Sequence, residues 1–310
     1  MSTNLSAAAR VWSACGRHVD AFGMEVFVTE RGHRGAPTLL FIHGFPTSSF
    51  DWRDTMELLA DDFHCVAVDL PGFGLSDKPL DYSYSMFQQA DVVEAVTAAL
   101  DITAAHVISH DMGTSLHTEL LARKHAGNLP FTVAGSTFLN GSILKTHAQL
   151  TDFQRMLETP SRLPEAVHVC AGMLPGYVPG LRQLMARPHR LSDQDARVMT
   201  ELLAYRHGHH RLPHAYAYVR ERYLHQQRWL DALITESESA PVQFVWGSAD
   251  PVAVIAMGIA LSELAPRARF TEIPDIGHFL PIEDPHSVAA AITAFTPTSH
   301  RPPGATARHL

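Results

Sequence analysis

The segment from Ala105 to Lys124 constrains the fold of this chain more than any other. An apolar, β-branched run (Ala105 to Ile108) leads into Ser109-His110-Asp111-Met112-Gly113, and a helix-like stretch (Thr114 to Lys124) follows. Small residues stand two positions before and two positions after Asp111. Bulk at either place would collide with neighbouring backbone, so the pattern reads as a sharp strand-to-helix turn with Asp111 at its apex. The N–H groups and the positive end of the following helix would stabilise an anion there. An aspartate in that position also has an ordinary role, capping the helix that begins near Gly113. The turn therefore fixes a chain path while leaving two uses for its carboxylate.

Around this turn the first half of the chain alternates short apolar runs with helix-like segments. Strands are predicted over Met24 to Thr29, Thr38 to His43, His64 to Asp69, Ala105 to Ser109 and Phe131 to Leu139, and helices over Asp51 to Asp61 and Tyr84 to Leu100. The rhythm stops at Gly141. It resumes with strands over Pro241 to Trp246 and Arg269 to Ile273 and helices over Val252 to Leu264 and His286 to Phe295. Such alternation implies an α/β protein with a mostly parallel sheet and helices on both faces. Residues 1–140 and 229–295 are expected to form the core domain, and 141–228 a helical cap inserted between two strands. The Pro-, Ser- and Gly-containing segment 296–310 is expected to be a disordered tail.

Composition narrows the partners. The 310 residues, 46% hydrophobic, suffice for one large core with an insertion. A net charge of -8 argues against a nucleic-acid partner. No apolar stretch reaches membrane-spanning length, and the first ten residues lack the apolar core of a secretory signal. The three cysteines are widely separated, which fits reduced thiols in a cytoplasmic protein. Among twenty histidines, the run His207-Gly208-His209-His210 has no cysteine or carboxylate at ligand spacing and reads as polar surface rather than a metal site. The oligomeric state is left open, a homodimer included.

Further motifs fall where open α/β sheets place their sites, at the carboxyl ends of strands. After one strand comes His43-Gly44-Phe45-Pro46, where the Phe45 N–H, with that of Met112, would form an oxyanion hole. After two later strands come Trp246-Gly247-Ser248-Ala249-Asp250-Pro251 and Ile276-Gly277-His278-Phe279. Nucleophile, acid and base thus run in the order Asp111, Asp250, His278. An aspartate nucleophile points away from esters, because attack on an acyl carbon would make an anhydride. Attack on an sp3 carbon makes an ordinary alkyl ester instead. A serine esterase is disfavoured, since Ser109 occupies the small position of the turn and Ser115 has His117 two places later.

These motifs, together with Asp69-Leu70-Pro71-Gly72-Phe73-Gly74-Leu75-Ser76-Asp77-Lys78-Pro79, resemble the α/β-hydrolase superfamily in its epoxide hydrolase and haloalkane dehalogenase branch, from about Met24 to Phe295. Within it the chain is similar to the mesoderm-specific transcript group, which shares the His43-to-Ser49 string, Ser-His-Asp at the turn, Asn140-Gly141 and a segment like Tyr218 to Trp229. The resemblance implies an eight-stranded sheet and a two-step hydrolysis. Asp111 displaces a leaving group from a small apolar or amphipathic substrate. Water activated by His278 then cleaves the ester, with Asp250 orienting the imidazole and no cofactor needed. Dehalogenases of this branch hold halide with a tryptophan after the nucleophile, where this chain has Met112; none of its four tryptophans takes that place. Epoxide opening uses cap tyrosines as proton donors; Tyr218 matches one by position, Tyr216 and Tyr223 less well, and Tyr177 is a late candidate for the other. Trp52 and Tyr216 are expected to touch substrate. Epoxide hydrolysis is thus favoured over dehalogenation, β-lactone opening or a non-catalytic binding scaffold.

Overall fold

Residues with alternating apolar side chains supply the sheet, because successive side chains of a strand face opposite sides. The computed structural model describes residues 5–141, 143–216 and 218–296. Its strands are β1 (Gly16–Ala21), β2 (Met24–Arg31), β3 (Thr38–Ile42), β4 (His64–Val68), β5 (Ala104–His110), β6 (Thr132–Leu139), β7 (Val242–Gly247) and β8 (Arg269–Ile273). They form one sheet in the order β1-β2-β4-β3-β5-β6-β7-β8. Pairing is antiparallel for β1 with β2 and β2 with β4, and parallel from β4 onward.

Helices α1 (Ala7–Ala14), α2 (Arg53–Leu59), α3 (Met86–Ala99) and α4 (Met112–His125) precede or interleave the early strands. Between β6 and β7 come α5 (Asp152–Glu158), α6 (Leu163–Ala171), α7 (Leu174–Gln183), α8 (Asp193–Ala204), α9 (Leu212–Ala215) and α10 (Tyr218–Ser239). After β7 come α11 (Ile255–Leu264), α12 (Leu280–Glu283) and α13 (Pro285–Thr293). No described helix is long and apolar enough to cross a membrane.

The period of two divides the core. Leu39, Phe41, Cys65 and Ala67 face one side, where Met56 and Leu59 of α2 meet Val288 and Ile292 of α13. Leu40, Ile42, Val66 and Val68 face the other, under α3, α4 and the helices that follow β6. Helix α10 lies along α4 and is pinned there by a buried acid. Glu119 accepts from Trp229 Nε1 at 2.8 Å and from Arg228 and Arg123 at 2.9 and 3.1 Å.

Several boundaries differ from the expected ones for local reasons. Tyr84 has φ 58, so α3 starts only at Met86, with the Ser85 hydroxyl accepting from Phe87 N–H. Helix α11 starts at Ile255 because Asp250 Oδ1 ties down the Val252 and Ala253 N–H groups in a turn. Strand β1 carries Arg17, His18 and Asp20 and lies at the sheet edge, where polar residues are ordinary and give no apolar period. Helix α10 runs without a break through the junction expected at 228/229. Thr296 is buried, its hydroxyl 3.4 Å from His106 Nδ1, and the rest of the expected tail, 297–310, lies outside the described residues.

Gly113 is the position that β5 and α4 cannot change. A Cβ there would sit 2.7 Å from the carbonyl oxygens of Ile42 and His43, backbone atoms of the adjoining strand end. We expect Gly113→Ala to cost roughly 1–3 kcal/mol of stability, the ordinary scale of overpacking. Urea unfolding would measure it, and an unchanged midpoint would show that the β3 end yields freely.

Candidate active site

Each polar group of the site stands at the carboxyl end of a parallel strand. Asp111 follows β5, with φ 47 and ψ -117, a conformation costly for a residue with a Cβ. Its side chain makes no capping bond to the helix interior, so the ordinary helix-cap role does not apply. The carboxylate turns toward the β3 loop instead. Phe45 N–H donates to Asp111 Oδ2 at 2.8 Å, and Met112 N–H donates to the same carboxylate. Gly44 permits this approach, since a Cβ there would lie 2.8 Å from Asp111 Cβ. The two amides named for an oxyanion hole therefore converge on Asp111.

The other oxygen faces the histidine. His278 Nε2 lies 3.8 Å from Asp111 Oδ1, and His278 Nδ1 is 2.7 Å from Asp250 Oδ2. Asp250 Oδ1 accepts from Val252 and Ala253 N–H at 2.7 and 3.0 Å, which fixes its remaining lone pairs. All three side chains are almost fully buried. Burial disfavours the charged imidazole, but the Asp250 and Asp111 carboxylates outweigh it and push His278 up to about 9. Burial likewise raises Asp111, against the opposing pull of His278 and the two amides.

Around these three the structure brings in groups whose roles the sequence motifs did not reveal. His110 Nε2 donates to the His278 carbonyl at 2.8 Å, and burial holds that imidazole well below its usual range. Asn140 donates to the Gly277 carbonyl at 3.0 Å and accepts from Gly247 N–H at 2.8 Å, joining the loops that carry Asp250 and His278. Glu283 accepts from Arg187 N–H at 2.8 Å and adds negative charge near His278. Asp51, bonded to the Thr47 hydroxyl, is pushed up to about 7 by burial. None of these has a period or spacing that would mark it, because each acts through a contact between distant loops.

The Asp69 motif proves to be scaffold. Asp69 accepts from Ser49 N–H and hydroxyl at 2.8 and 2.6 Å and from Leu75 N–H at 2.7 Å. His43 Nε2 accepts from Leu70 N–H at 3.1 Å while its Nδ1 donates to the Gly44 carbonyl at 2.8 Å. These bonds hold the loop that carries Phe45.

The aromatic expectations divide. Tyr218 lines a small cavity whose wall also contains Asp111. Tyr216 packs edge-on to Phe45 at 5.0 Å and to Tyr218 at 5.3 Å. Its buried hydroxyl has no partner among the described residues, and burial with the nearby Asp111 charge holds it well above the usual phenol range. Tyr223 lines the same cavity. Tyr177 instead donates to the Pro46 carbonyl at 3.3 Å. Trp52, expected at the substrate, belongs to the core on the α2 and α13 face, with its ring 5.2 Å from Phe41. The short 3-10 turn at Ser49–Trp52 directs it under the sheet. Met112 is fully buried and presents no N–H donor from its side chain.

The sequence profile of the alpha/beta hydrolase fold matches residues 37–285. A protein of Mycobacterium tuberculosis bearing the hydrolase name LipZ is 39% identical over 287 residues, covering 92% of this chain and 97% of its own. The human mesoderm-specific transcript homolog protein is 30% identical over 302 residues, covering 94% and 88%. The solved haloalkane dehalogenase DbeA of Bradyrhizobium elkani superposes with a TM-score of 0.73 at 27% identity, covering 90% and 98%. An epoxide hydrolase, CorEH, gives 0.72 at 20% identity, covering 90% and 97%. The second of these structures shares the fold and supports nothing finer.

A pH dependence follows from His278. A histidine raised from 6.5 to about 9 contributes stability that is fully present below about 6.5 and lost as the pH climbs through about 9. An NMR titration of the imidazole should therefore show its proton retained above pH 8, and Asp250→Asn should move that titration down. A wild-type midpoint below about 7 would contradict these electrostatics.

Proposed function

The chain belongs to the α/β-hydrolase fold family, and on that footing we propose that it hydrolyses an epoxide to a diol through a covalent ester on Asp111. The observation that carries this reading is the orientation of one carboxylate. Asp111 Oδ2 accepts from the Phe45 amide, the Met112 amide meets the same carboxylate, and Oδ1 lies on the side of His278.

In the first step Oδ1 forms a bond to an epoxide carbon and the C–O bond of the ring breaks. The departing oxygen takes a proton from a cap tyrosine, Tyr218 or Tyr216. Tyr216 supports this role by its unpartnered hydroxyl, and Tyr218 by its place in the cavity beside Asp111. The phenolate takes up the proton of His278, which leaves the imidazole neutral for the second step. In the second step His278 removes a proton from water, whose oxygen adds to the Asp111 carboxyl carbon. The former Oδ2 becomes the oxyanion, already lying in its two-amide cradle. Collapse expels the diol oxygen, which takes the proton back from His278.

Esterification also prepares the base. It converts one of the two carboxylates that hold the His278 proton into a neutral ester, so the imidazole becomes easier to deprotonate when it must act. A halide leaving group is less well supported, because the buried Met112 side chain offers no N–H donor to it.

His278→Gln should accumulate the ester. Incubated with an opened epoxide, the protein mass should rise by the whole mass of that epoxide, mapping to the Asp111 peptide and absent in Asp111→Asn. No adduct with a substrate that wild type turns over would refute the covalent route. Replacing Tyr216 and Tyr218 together by Phe should slow turnover by about 10²- to 10⁴-fold, the usual reach of a general acid. Turnover unchanged in the double variant would remove both tyrosines from the reaction.

A further inference from the structure

Arg222, on the first turns of α10, is 3% exposed and no described carboxylate forms an ion pair with it. Its Nε donates to the Ser115 hydroxyl at 2.9 Å, one Nη to that same oxygen, and the other Nη to the Ile143 carbonyl at 3.0 Å. One face of the guanidinium lies over Trp229, 5.3 Å from the ring centre. A buried cation is costly unless a charge answers it, and neutral acceptors answer it only in part. Yet Arg222 lines the cavity that holds Asp111. Lys145, exposed at the same wall, is the second cation there. In a chain with a net charge of -8, Asp111 is the one acid among the residues lining this cavity. Ala148, Leu150, Val219 and Val252 give the wall an apolar side, completed by Gln154, Tyr218 and Tyr223.

We propose that the substrate is an amphipathic anion, carrying a carboxylate that Arg222 and Lys145 bind while an apolar chain places the electrophilic carbon at Asp111. This rests on the reading of Asp111 as the site of attack, and it adds the substrate class. The carboxylate is not a reacting group; it supplies the counter-charge that Arg222 lacks. A fork of N–H donors suits a carboxylate by geometry, whereas Lys145 at the mouth acts as a point charge. Burial draws the Arg222 value down to about 9 although the Asp111 charge pulls it the other way.

Two measurements test it. Wild type is titrated with hexanoate and with hexanamide, neither of which can be hydrolysed by attack at an sp3 carbon. Separately, kcat/KM is compared for terminal epoxy-alkanoates and their methyl esters. Hexanoate should bind at least about tenfold more tightly than hexanamide, and the acids should exceed the esters by about 10- to 100-fold, the scale of a charge-assisted contact. Arg222→Gln should erase most of that preference, lowering kcat/KM for the acids far more than for the methyl esters; a residue that merely positioned Asp111 would slow both series alike. Should Arg222→Gln fail to fold, the exposed Lys145→Gln serves, with an expected loss of about threefold confined to the anions. Equal binding of hexanoate and hexanamide would overturn the proposal. Selective hexanoate binding without turnover of any epoxide would uphold the anion site and sink the epoxide reading. Turnover of epoxides with no charge preference would do the reverse.

Discussion

The bond from Phe45 N–H to Asp111 Oδ2 is the constraint on which the rest of the site depends. It joins the end of β3 to the end of β5, and it can form only because Asp111 accepts a φ of 47. That conformation costs on the order of 1–3 kcal/mol and must be held from outside. The holding groups are spread through the sequence. Gly44 and Gly113 leave room for the two strand ends to touch, and the Thr114 hydroxyl closes on the Asp111 carbonyl at 2.6 Å. His43 and Asp69 fix the loop from which Phe45 donates. Strain at one residue is thus balanced by a network drawn from several strand ends and loops.

Electrostatics gives the same pair a direction. A buried carboxylate beside a buried imidazole can settle as two neutral groups or two charged ones. Here Asp250 and Glu283 both favour a charged His278, and two amides favour a charged Asp111. His278 Nε2 and Asp111 Oδ1 sit 3.8 Å apart, beyond a direct hydrogen bond, so each influences the other's charge through space. His110, kept neutral by burial, holds the His278 backbone without competing for the proton.

The sheet was legible because its signal is local. Runs such as Thr38 to Ile42 and Val242 to Trp246 are apolar on both faces, and the glycine, aspartate or histidine that ends each run marks the site edge. Local pattern of this or an alternating kind marks seven of the eight strands, whereas β1 is an edge strand with polar side chains and is not marked. The positions of Asp111, Asp250 and His278 at strand ends were legible for the same reason. What the sequence concealed is long-range. Nothing in the local pattern of Trp52 reveals that a 3-10 turn sends it beneath the sheet, nor that Tyr216 rather than Tyr177 has the unpartnered hydroxyl. Arg222 reads on paper as one charge on a polar helix, and only the packing of α10 on α4 buries it.

Packing also closes off the two serines nearest the turn. Ser109 lies 2.9 Å from His117 Nδ1, a contact that on distance alone would suit a serine and its base. Both residues are fully buried, His117 Nε2 is occupied by the Ser136 hydroxyl at 3.0 Å, and its ring stacks on Phe138 at 4.2 Å. Burial and the nearby positive charges hold that imidazole well below its usual range, so it is a weak base in a closed layer. Ser115, the other serine near the turn, is equally closed and engages Arg222 through its hydroxyl. Neither hydroxyl meets the two amides at the end of β3 and the start of α4. The donors meet at Asp111, which is the geometry that supports the proposed attack by its carboxylate.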